Sequence, residues 1–262
     1  DYDLLNKLYI SLIESIIYLN EKVNVYVTLD IIDNSAHGDT FKEIKRVSEQ
    51  FLSGCELLQV EYICPPVNVG YDWANNISID KAQSDYHLVL NPDVIFRRDT
   101  LLNAVKYLEQ NQNVGLISPK VFDLQGEQQY VAKGYPDLLT LILRAANKKK
   151  LNKKFEARLF SYELRSLVQS DKDVSIDIAG GCFMFFRSSI IKKVGGFNSG
   201  YFLYFEDFQL SLDTSKEAKI VFAPSVVIQH GGGQVWKKGR WHTYQFIKSG
   251  VRFFNKNGWK VM

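Results

Sequence analysis

The sequence lacks any uninterrupted apolar run near the roughly 20 residues that a helix needs to span a bilayer. Hydrophobic residues nevertheless make up 46% of its 262 residues, and charged residues make up 23%. Both fractions are typical of soluble globular proteins. The first residue is Asp1 rather than Met, and no basic segment followed by an apolar one marks a secretory signal. The sequence therefore predicts a chain that does not cross a membrane and gives no support for secretion, although the Asp1 start indicates that the natural beginning is missing from it.

Cysteine is also scarce. The chain has three, at Cys55, Cys64 and Cys182, an odd and scattered set without paired metal-binding spacing. This pattern favours reduced thiols in the cytoplasm over a disulfide framework. We find no internal repeat, no low-complexity segment, and no glycine-rich loop with basic residues near the start that would hold a triphosphate. The last absence disfavours a nucleotidyltransferase, for which pyrophosphate release would be diagnostic.

Positive charge is concentrated near the end of the sequence. Residues 236–260 hold seven Lys/Arg and no Asp or Glu, so the rest of a chain with net charge +3 carries −4. Trp236, Trp241 and Trp259, three of the four tryptophans, lie in this segment. This mixture of basic residues and tryptophans is typical of contact with anionic lipid headgroups, which for a cytoplasmic protein lie at the inner face of the plasma membrane. The alternative is a terminal helix with a solvated basic face; no RNA or DNA motif supports nucleic-acid binding.

Predicted strands and helices alternate along the chain, which indicates an α/β protein with a mostly parallel sheet flanked by helices. The middle, 123–173, reads as a variable loop-and-helix insertion with five lysines between 148 and 154. The predicted strands are 23–31, 57–63, 86–90, 114–117, 177–186 and the Pro224-led segment ending at His230. The predicted helices are 4–19, one opened by a Thr40/Glu43 capping box, one from an Asp72 N-cap to 82, 100–110, one from Ser188 or Ser189 to Gly195, and one beginning near Glu206.

Three side chains fall at the carboxyl ends of predicted strands: Asp33, Asp93 and His230. Because ligands of open parallel sheets bind outside the carboxyl ends of strands, we expect them in one crevice. Asn91 and Asp93 offer oxygen ligands for a hard cation, and His230 could add a nitrogen. Asp33, Asn91 and Asp93 also lie in ordinary turn sequences, and a lone histidine is often structural.

The loop at Gly70 enters the predicted helix at Asp72. Backbone N–H groups and the dipole at a helix N-terminus favour an anion such as a diphosphate. Together with the strand-end residues, this loop predicts a site for a nucleotide and its metal.

An acidic pair, Glu206 and Asp207, follows the aromatic run 201–205. Carboxylates usually stay exposed and aromatics bury, so this pair is expected at the mouth of a pocket, where one carboxylate could act as a general base. Burial should raise the pKa of Asp207, whereas a helix N-terminus favours its ionised form. The simpler alternative is that the pair only charges the first turn of the following helix.

Seven short segments form a recognisable series along the chain. They are Ile32-Asp33-Asn34-Ser35, Asn68-Val69-Gly70-Tyr71-Asp72-Trp73-Ala74-Asn75-Asn76, Leu90-Asn91-Pro92-Asp93, Gly180-Gly181-Cys182, Gly195-Gly196-Phe197, Tyr204-Phe205-Glu206-Asp207 and His230-Gly231-Gly232-Gly233. Taken in order, these segments resemble family 2 inverting glycosyltransferases of the GT-A fold. The resemblance covers nearly the whole chain. Within the family, the Asn-Pro-Asp form and the segments 135–139 and 253–259 look most like bacterial rhamnosyltransferases of polysaccharide assembly.

The resemblance implies a single GT-A domain over 1–235, with a Rossmann-like nucleotide-sugar half (1–118) and an acceptor half (119–235), followed by the tail 236–262. Asp33 would recognise the nucleobase, and Asp93 would bind Mg²⁺ or Mn²⁺ with the diphosphate, helped by His230. Asn68 and Asn76 would lie near the ribose or diphosphate, and the further donor-binding positions are Asn34, Gly70 and Asn91.

On the acceptor side, the resemblance places Gly180, Gly181 and Tyr204, with Asp207 as the catalytic base and Glu206 beside it. The partners would be a nucleoside-diphosphate sugar, best dTDP-rhamnose, and a glycan or lipid-linked acceptor. UDP-galactofuranose, UDP-glucose and UDP-N-acetylglucosamine stay open as donors.

Two departures from the family matter. Its members open with a strand and a donor-contacting turn, whereas this chain starts at the first helix, so part of the nucleotide pocket is expected to be missing. Asn91 stands where many relatives carry Asp, which removes a negative charge near the metal. A catalytically silent member that binds nucleotide sugar or glycan is therefore a second hypothesis.

Overall fold

The structure, a computed structural model, describes residues 2–146, 155–232 and 239–260. The described helices are α1 Tyr2–Asn20, α2 Gly38–Leu52, α3 Tyr71–Lys81, α4 Thr100–Gln110, α5 Leu138–Ala146, α6 Glu156–Tyr162, α7 Arg165–Gln169, α8 Ser188–Lys193, α9 Glu206–Ser215 and α10 Arg240–Asn257. The described strands are β1 Val27–Ile32, β2 Leu58–Ile63, β3 Tyr86–Leu90, β4 Val94–Phe96, β5 Val114–Phe122, β6 Gln128–Gln129, β7 Val174–Ser175, β8 Phe183–Arg187 and β9 Lys219–His230.

The main sheet has the order β3-β8-β5-β9-β4, with β6 added to β5 and β7 to β9. The predicted α/β class is correct, but the expectation of a mostly parallel sheet is wrong for this sheet. Only β5 and β9 pair in parallel. Strand β8 runs antiparallel between β3 and β5, so it separates two strands that point the same way. The sheet is mixed because the chain reaches β8 through the insertion rather than through one crossover helix.

A second, two-stranded sheet holds β1 and β2, which pair in parallel from Val27 opposite Leu58 to Ile32 opposite Ile63. Helix α2 connects them, as the right-handed βαβ unit requires. Their side chains join α1, α2 and α4 in one apolar core. The chain therefore delivers Asp33 at the carboxyl end of β1, as predicted.

An aromatic cluster forms a separate core between α9 and α10. Its rings come from the turn before α9, from α9 and from α10, and the ring centroids of Phe205 and Phe253 lie 5.4 Å apart. Aromatic pairs at such distances add about 0.5–1.5 kcal/mol beyond their buried area. The cluster is Tyr201, Phe205, Phe208, Phe253 and Phe254.

Two predicted helix caps and one predicted strand are wrong. Helix α2 begins at Gly38, so Thr40 lies inside its first turn. Helix α3 begins after Gly70, whose φ of 88° favours glycine, so Asp72 is the second helical residue. The predicted strand 177–186 is interrupted, because β7 ends before the Gly180-Gly181 turn and β8 begins after it.

The halves 1–118 and 119–235 remain a prediction, and strand β5 runs continuously across their boundary. The five lysines of 148–154, together with Gly233 and Trp236, lie outside the described residues. Within the described ranges, no helix is long and apolar enough to cross a membrane.

Candidate active site

The loops after β1 and before α3 interlock through asparagine side chains. The Asn34 amide donates to the Gly70 carbonyl at 2.9 Å, and its oxygen accepts from the Val69 N–H at 2.9 Å. The Asn68 side-chain oxygen accepts from the Gly70 N–H at 3.0 Å. These bonds hold Asn34, Asn68 and Gly70 together on the side of the molecule predicted to bind the donor.

Asp33 lies at the base of this loop pair and is 6% exposed. Its Oδ1 accepts from the Ser35 N–H at 3.0 Å, while its buried Oδ2 has no hydrogen-bond partner. A buried carboxylate oxygen without a donor is unfavourable. The arrangement suits a ligand that presents an N–H group, as a nucleobase does.

Asn76 does not join this group. Its amide donates to the Phe197 carbonyl and accepts from the Phe197 N–H, both at 2.8 Å. A Cβ on Gly196 would lie 2.5 Å from the Asn76 oxygen, so glycine permits this contact. The hydrogen-bonding groups of Asn76 thus tie α3 to the turn after α8, and the structure gives no support for its predicted donor contact.

Asp93 and His230 come together across the β4–β9 pair. The Oδ1 of Asp93 lies 3.4 Å from the Nε2 of His230, and the Gly231 N–H donates to the Asp93 carbonyl at 2.9 Å. On the other side of the ring, His230 Nδ1 lies 3.2 Å from the Gln129 side-chain oxygen. If Nδ1 donates to Gln129, the lone pair of Nε2 faces Asp93. Sequence reasoning missed Gln129, which carries no motif.

These two side chains fit a divalent cation that is held jointly with diphosphate oxygens. Gly232 leaves the space open, since a Cβ there would lie 2.3 Å from Asp93 Oδ2. Among the described residues, no group of three or more His, Cys, Asp or Glu is arranged to hold a metal without further ligands. The donor would therefore have to complete the coordination.

The acidic pair opens α9, immediately after two residues in the left-handed region. Tyr204 has φ 68° and Phe205 has φ 65°, which non-glycine residues adopt rarely. Asp207 is fixed by two backbone donors, the Gly181 N–H at 3.0 Å and the Phe208 N–H at 2.9 Å. Glu206 is buried, and its Oε2 has no hydrogen-bond partner.

Burial raises the pKa of Asp207, as predicted, while nearby Lys133 and the two backbone N–H groups oppose that rise. The pKa of Glu206 is raised well above its usual range, first by burial and then by the charge of Asp207. Lys133 in turn has its pKa lowered to about 8, first by burial and then by repulsion from Arg144. Glu206 is thus favoured as the protonated partner and Asp207 as the ionised one.

Tyr71 connects the metal side of the cleft to the base. Its hydroxyl lies 3.3 Å from Asn91 Oδ1 and 3.1 Å from the Gly181 carbonyl, and the Gly181 N–H holds Asp207. Burial of the Cys182 thiol raises its pKa, and the charges of Asp93 and Asp207 raise it further. The described contacts thus pair Asp93 with His230 and link Asn91 to Asp207 through Tyr71 and Gly181, and the convergence of Asp93, Asp207 and His230 on one cleft stays a prediction.

Of the three predicted acceptor residues, one contacts the predicted base directly. Gly181 contacts Asp207 closely enough that a Cβ there would lie 3.3 Å from the Asp207 Cβ. A Cβ on Gly180 would lie 3.1 Å from Val131. The Tyr204 hydroxyl is 2.8 Å from His242 Nδ1 on α10. The structure thus places Gly181 beside Asp207, whereas the described contacts of Gly180 and Tyr204 are with Val131 and His242; the role of all three residues towards an acceptor stays a prediction.

Comparison with known structures identifies the fold. The structure of GalNAc-T7 with UDP, GalNAc and Mn²⁺ matches with a TM-score of 0.57 and 15% identity, over 86% of this chain and 41% of that chain. The mannosyltransferase PcManGT from Pyrobaculum calidifontis, in complex with GDP-Man and Mn²⁺, matches with a TM-score of 0.51 and 16% identity, over 95% of this chain and 76% of that one. The molecule has the GT-A fold of glycosyltransferases, as the sequence resemblance implied.

Sequence comparison gives the family. Residues 31–195, more than half of the chain, match Glycosyl transferase family 2, and the chain belongs to that family. The rhamnosyltransferase WbbL of Escherichia coli (strain K12) is 27% identical over 209 residues, which cover 72% of this chain and 74% of WbbL. The low-salt glycan biosynthesis hexosyltransferase Agl10 of Haloferax volcanii is 22% identical over 211 residues, covering 78% of this chain and 58% of Agl10.

Proposed function

We propose that this protein is an inverting, divalent-metal-dependent glycosyltransferase that moves rhamnose from dTDP-rhamnose to a hydroxyl of a glycan or lipid-linked acceptor in bacterial cell-surface polysaccharide synthesis. The observation that carries the proposal is the hydrogen-bonded path from Asn91 through Tyr71 and Gly181 to Asp207. It supports one cleft in which a donor diphosphate and an acceptor hydroxyl can meet.

In the proposed reaction, the Asp207 carboxylate accepts the proton of an acceptor hydroxyl. The oxygen attacks the anomeric carbon as the bond from that carbon to the diphosphate breaks, so nucleoside diphosphate leaves from the opposite face and the configuration inverts. The backbone N–H groups of Gly181 and Phe208 orient the base. A positioned base contributes about 10² to 10⁴ in rate.

On the donor side, Asp93 and His230 would hold Mg²⁺ or Mn²⁺, which when bound supplies positive charge to the leaving diphosphate. Asn34, Asn68 and Gly70 would line the nucleotide, and Asp33 Oδ2 would accept a hydrogen bond from an N–H group of the nucleobase. Rhamnose is favoured by the likeness to the rhamnosyltransferase WbbL. UDP-sugars remain the alternative donors, since a UDP complex is among the similar structures.

The test is a panel of nucleotide sugars assayed for binding and slow hydrolysis with Mg²⁺, with Mn²⁺ and with chelator. We expect dTDP-rhamnose to bind best and only with metal, and to release dTDP. Metal-independent binding would contradict the cation, and preference for a UDP-sugar would contradict the donor. Binding without hydrolysis or transfer would instead favour the catalytically silent alternative, which Asn91 at a metal-side position keeps open.

A further inference from the structure

We propose that the outer face of α10 docks on an anionic phospholipid surface and holds the acceptor side of the cleft against the membrane. The inference rests on the proposed function only in expecting a lipid-linked acceptor. The docking face is defined by its exposed apolar side chains, which are Trp241, Tyr244, Ile247 and Val251.

These side chains form one stripe. Tyr244, Ile247 and Val251 follow the i, i+3, i+7 spacing that places residues on one side of a helix. Tyr244 is 61% exposed and Ile247 is 58% exposed. Beyond the helix, Trp259 is 49% exposed. Aromatic side chains with a polar edge are favoured at the headgroup boundary.

The charge beside the stripe is positive. Lys248, Arg252 and Lys256 recur every four residues and form a parallel row, and all three are exposed. Lys256 also pairs with Asp213 at 3.6 Å, so Lys248 and Arg240 are more available to contact anionic headgroups. The helix contains no Asp or Glu. The exposed side of this helix has one apolar row and one basic row and no acidic residue. It therefore fits the surface of an anionic membrane better than a neutral groove on a protein.

The opposite face of α10 is firmly held. Phe253 and Phe254 are buried in the aromatic cluster, and Ser249 Oγ donates to the Leu203 carbonyl at 2.7 Å. Gly250 lets the helix approach Phe205, since a Cβ there would lie 3.2 Å from that ring. The exposed stripe is therefore presented in a fixed orientation, and its inner face touches the turn that precedes Glu206 and Asp207.

The experiment is sedimentation of the full chain with vesicles of phosphatidylglycerol and phosphatidylcholine, or of phosphatidylcholine alone, without donor or acceptor. We expect binding to the anionic vesicles that falls as salt is raised. Ile247→Asp should lower the partition coefficient at least about tenfold, since burying one such side chain is worth 1.5–3 kcal/mol. Lys248→Gln should lower it about fivefold on anionic vesicles only, because each basic residue contributes about 1 kcal/mol there.

Matched controls come from other helices. Ile10 on α1 is 48% exposed, so Ile10→Asp makes the same change elsewhere and should leave binding unchanged. Lys106→Gln on α4 is the control for Lys248→Gln. Equal binding of all variants, or equal binding to both vesicle types, would overturn the proposal. Light scattering could also overturn it. If the protein forms a dimer without vesicles, and Ile247→Asp dissociates that dimer, the docking face binds a second copy of the chain and not a membrane.

Transfer to a soluble acceptor, measured without vesicles, separates this inference from the proposed function. If transfer proceeds and vesicle binding fails, only the docking is wrong. If vesicle binding holds and no nucleotide sugar is used, the docking stands and the proposed function falls.

Discussion

The two sides of the cleft are built differently. On the donor side, short polar side chains position one another, as in the bonds of Asn34 to Val69 and Gly70. On the base side, backbone N–H groups donate to the Asp207 carboxylate, and the rings of its sequence neighbours Phe205 and Phe208 pack 5.1 Å apart. The first construction fixes hydrogen-bond geometry, and the second lowers the local polarity. A diphosphate needs donors and charge, whereas a base needs a raised pKa.

The largest expected effect comes from the base side. Asp207→Asn keeps the shape of the side chain but cannot accept the acceptor proton, so we expect kcat to fall by about 10² to 10⁴ with donor affinity unchanged. Calorimetry with the donor and a transfer assay separate these two quantities. Normal turnover by this variant would remove Asp207 from the mechanism, and an equal loss of donor binding would mean that the sides are not separable.

A change on the donor side should lower nucleotide affinity, whereas the change on the base side lowers kcat. Asp93→Ala is expected to weaken nucleotide binding by about tenfold or more in Mg²⁺ or Mn²⁺, because it removes a carboxylate from the proposed metal site. Without metal, its affinity should equal that of the parent protein. Asp39→Ala, at a fully exposed carboxylate on α2, is the matched control. Equal losses with and without metal would assign Asp93 to structure instead.

Lys133 offers a pH test of the base side. Asp207 must be ionised to act, so the rate falls as the pH drops through its pKa, and Lys133 holds that pKa down. Lys133→Met should therefore move the acid limb of the kcat/KM profile to higher pH, while Lys133→Arg should keep it in place. A change in rate at all pH values without movement of the limb would show that Lys133 acts only through packing.

Tyr71 should give the smallest effect, and it bears on the connection between the sides. Tyr71→Phe removes one hydroxyl whose neighbours are Asn91 and Gly181, so we expect kcat/KM to fall about threefold to tenfold, in line with a hydrogen bond worth 0.5–1.5 kcal/mol. Tyr26→Phe, at an exposed tyrosine bonded to Gln59, should have no effect on rate. If the two variants behave alike, the path through Tyr71 does not couple the sides.

The sequence predicted what depends on local pattern. Strand β3 and helix α4 begin and end where periodicity placed them, because apolar spacing and turn residues act over a few neighbours. The caps at Thr40 and Asp72 failed because the backbone at His37 and Gly70 started each helix earlier. Tyr71 was missed because its partners lie 20 and 110 residues away. The mixed sheet was missed because strand order depends on such distant pairings.

The backbone at Tyr204 and Phe205 carries a further consequence. Left-handed geometry costs roughly 1–2 kcal/mol for each such residue, and α10 contacts this turn through Ser249 and Gly250. Detaching the helix would let the turn relax, and the acid would swing away from Gly181 while the β-strands stayed folded. A protein trimmed before Arg240 should thus still take up nucleotide but fail to glycosylate, and that result would give α10 a part in catalysis.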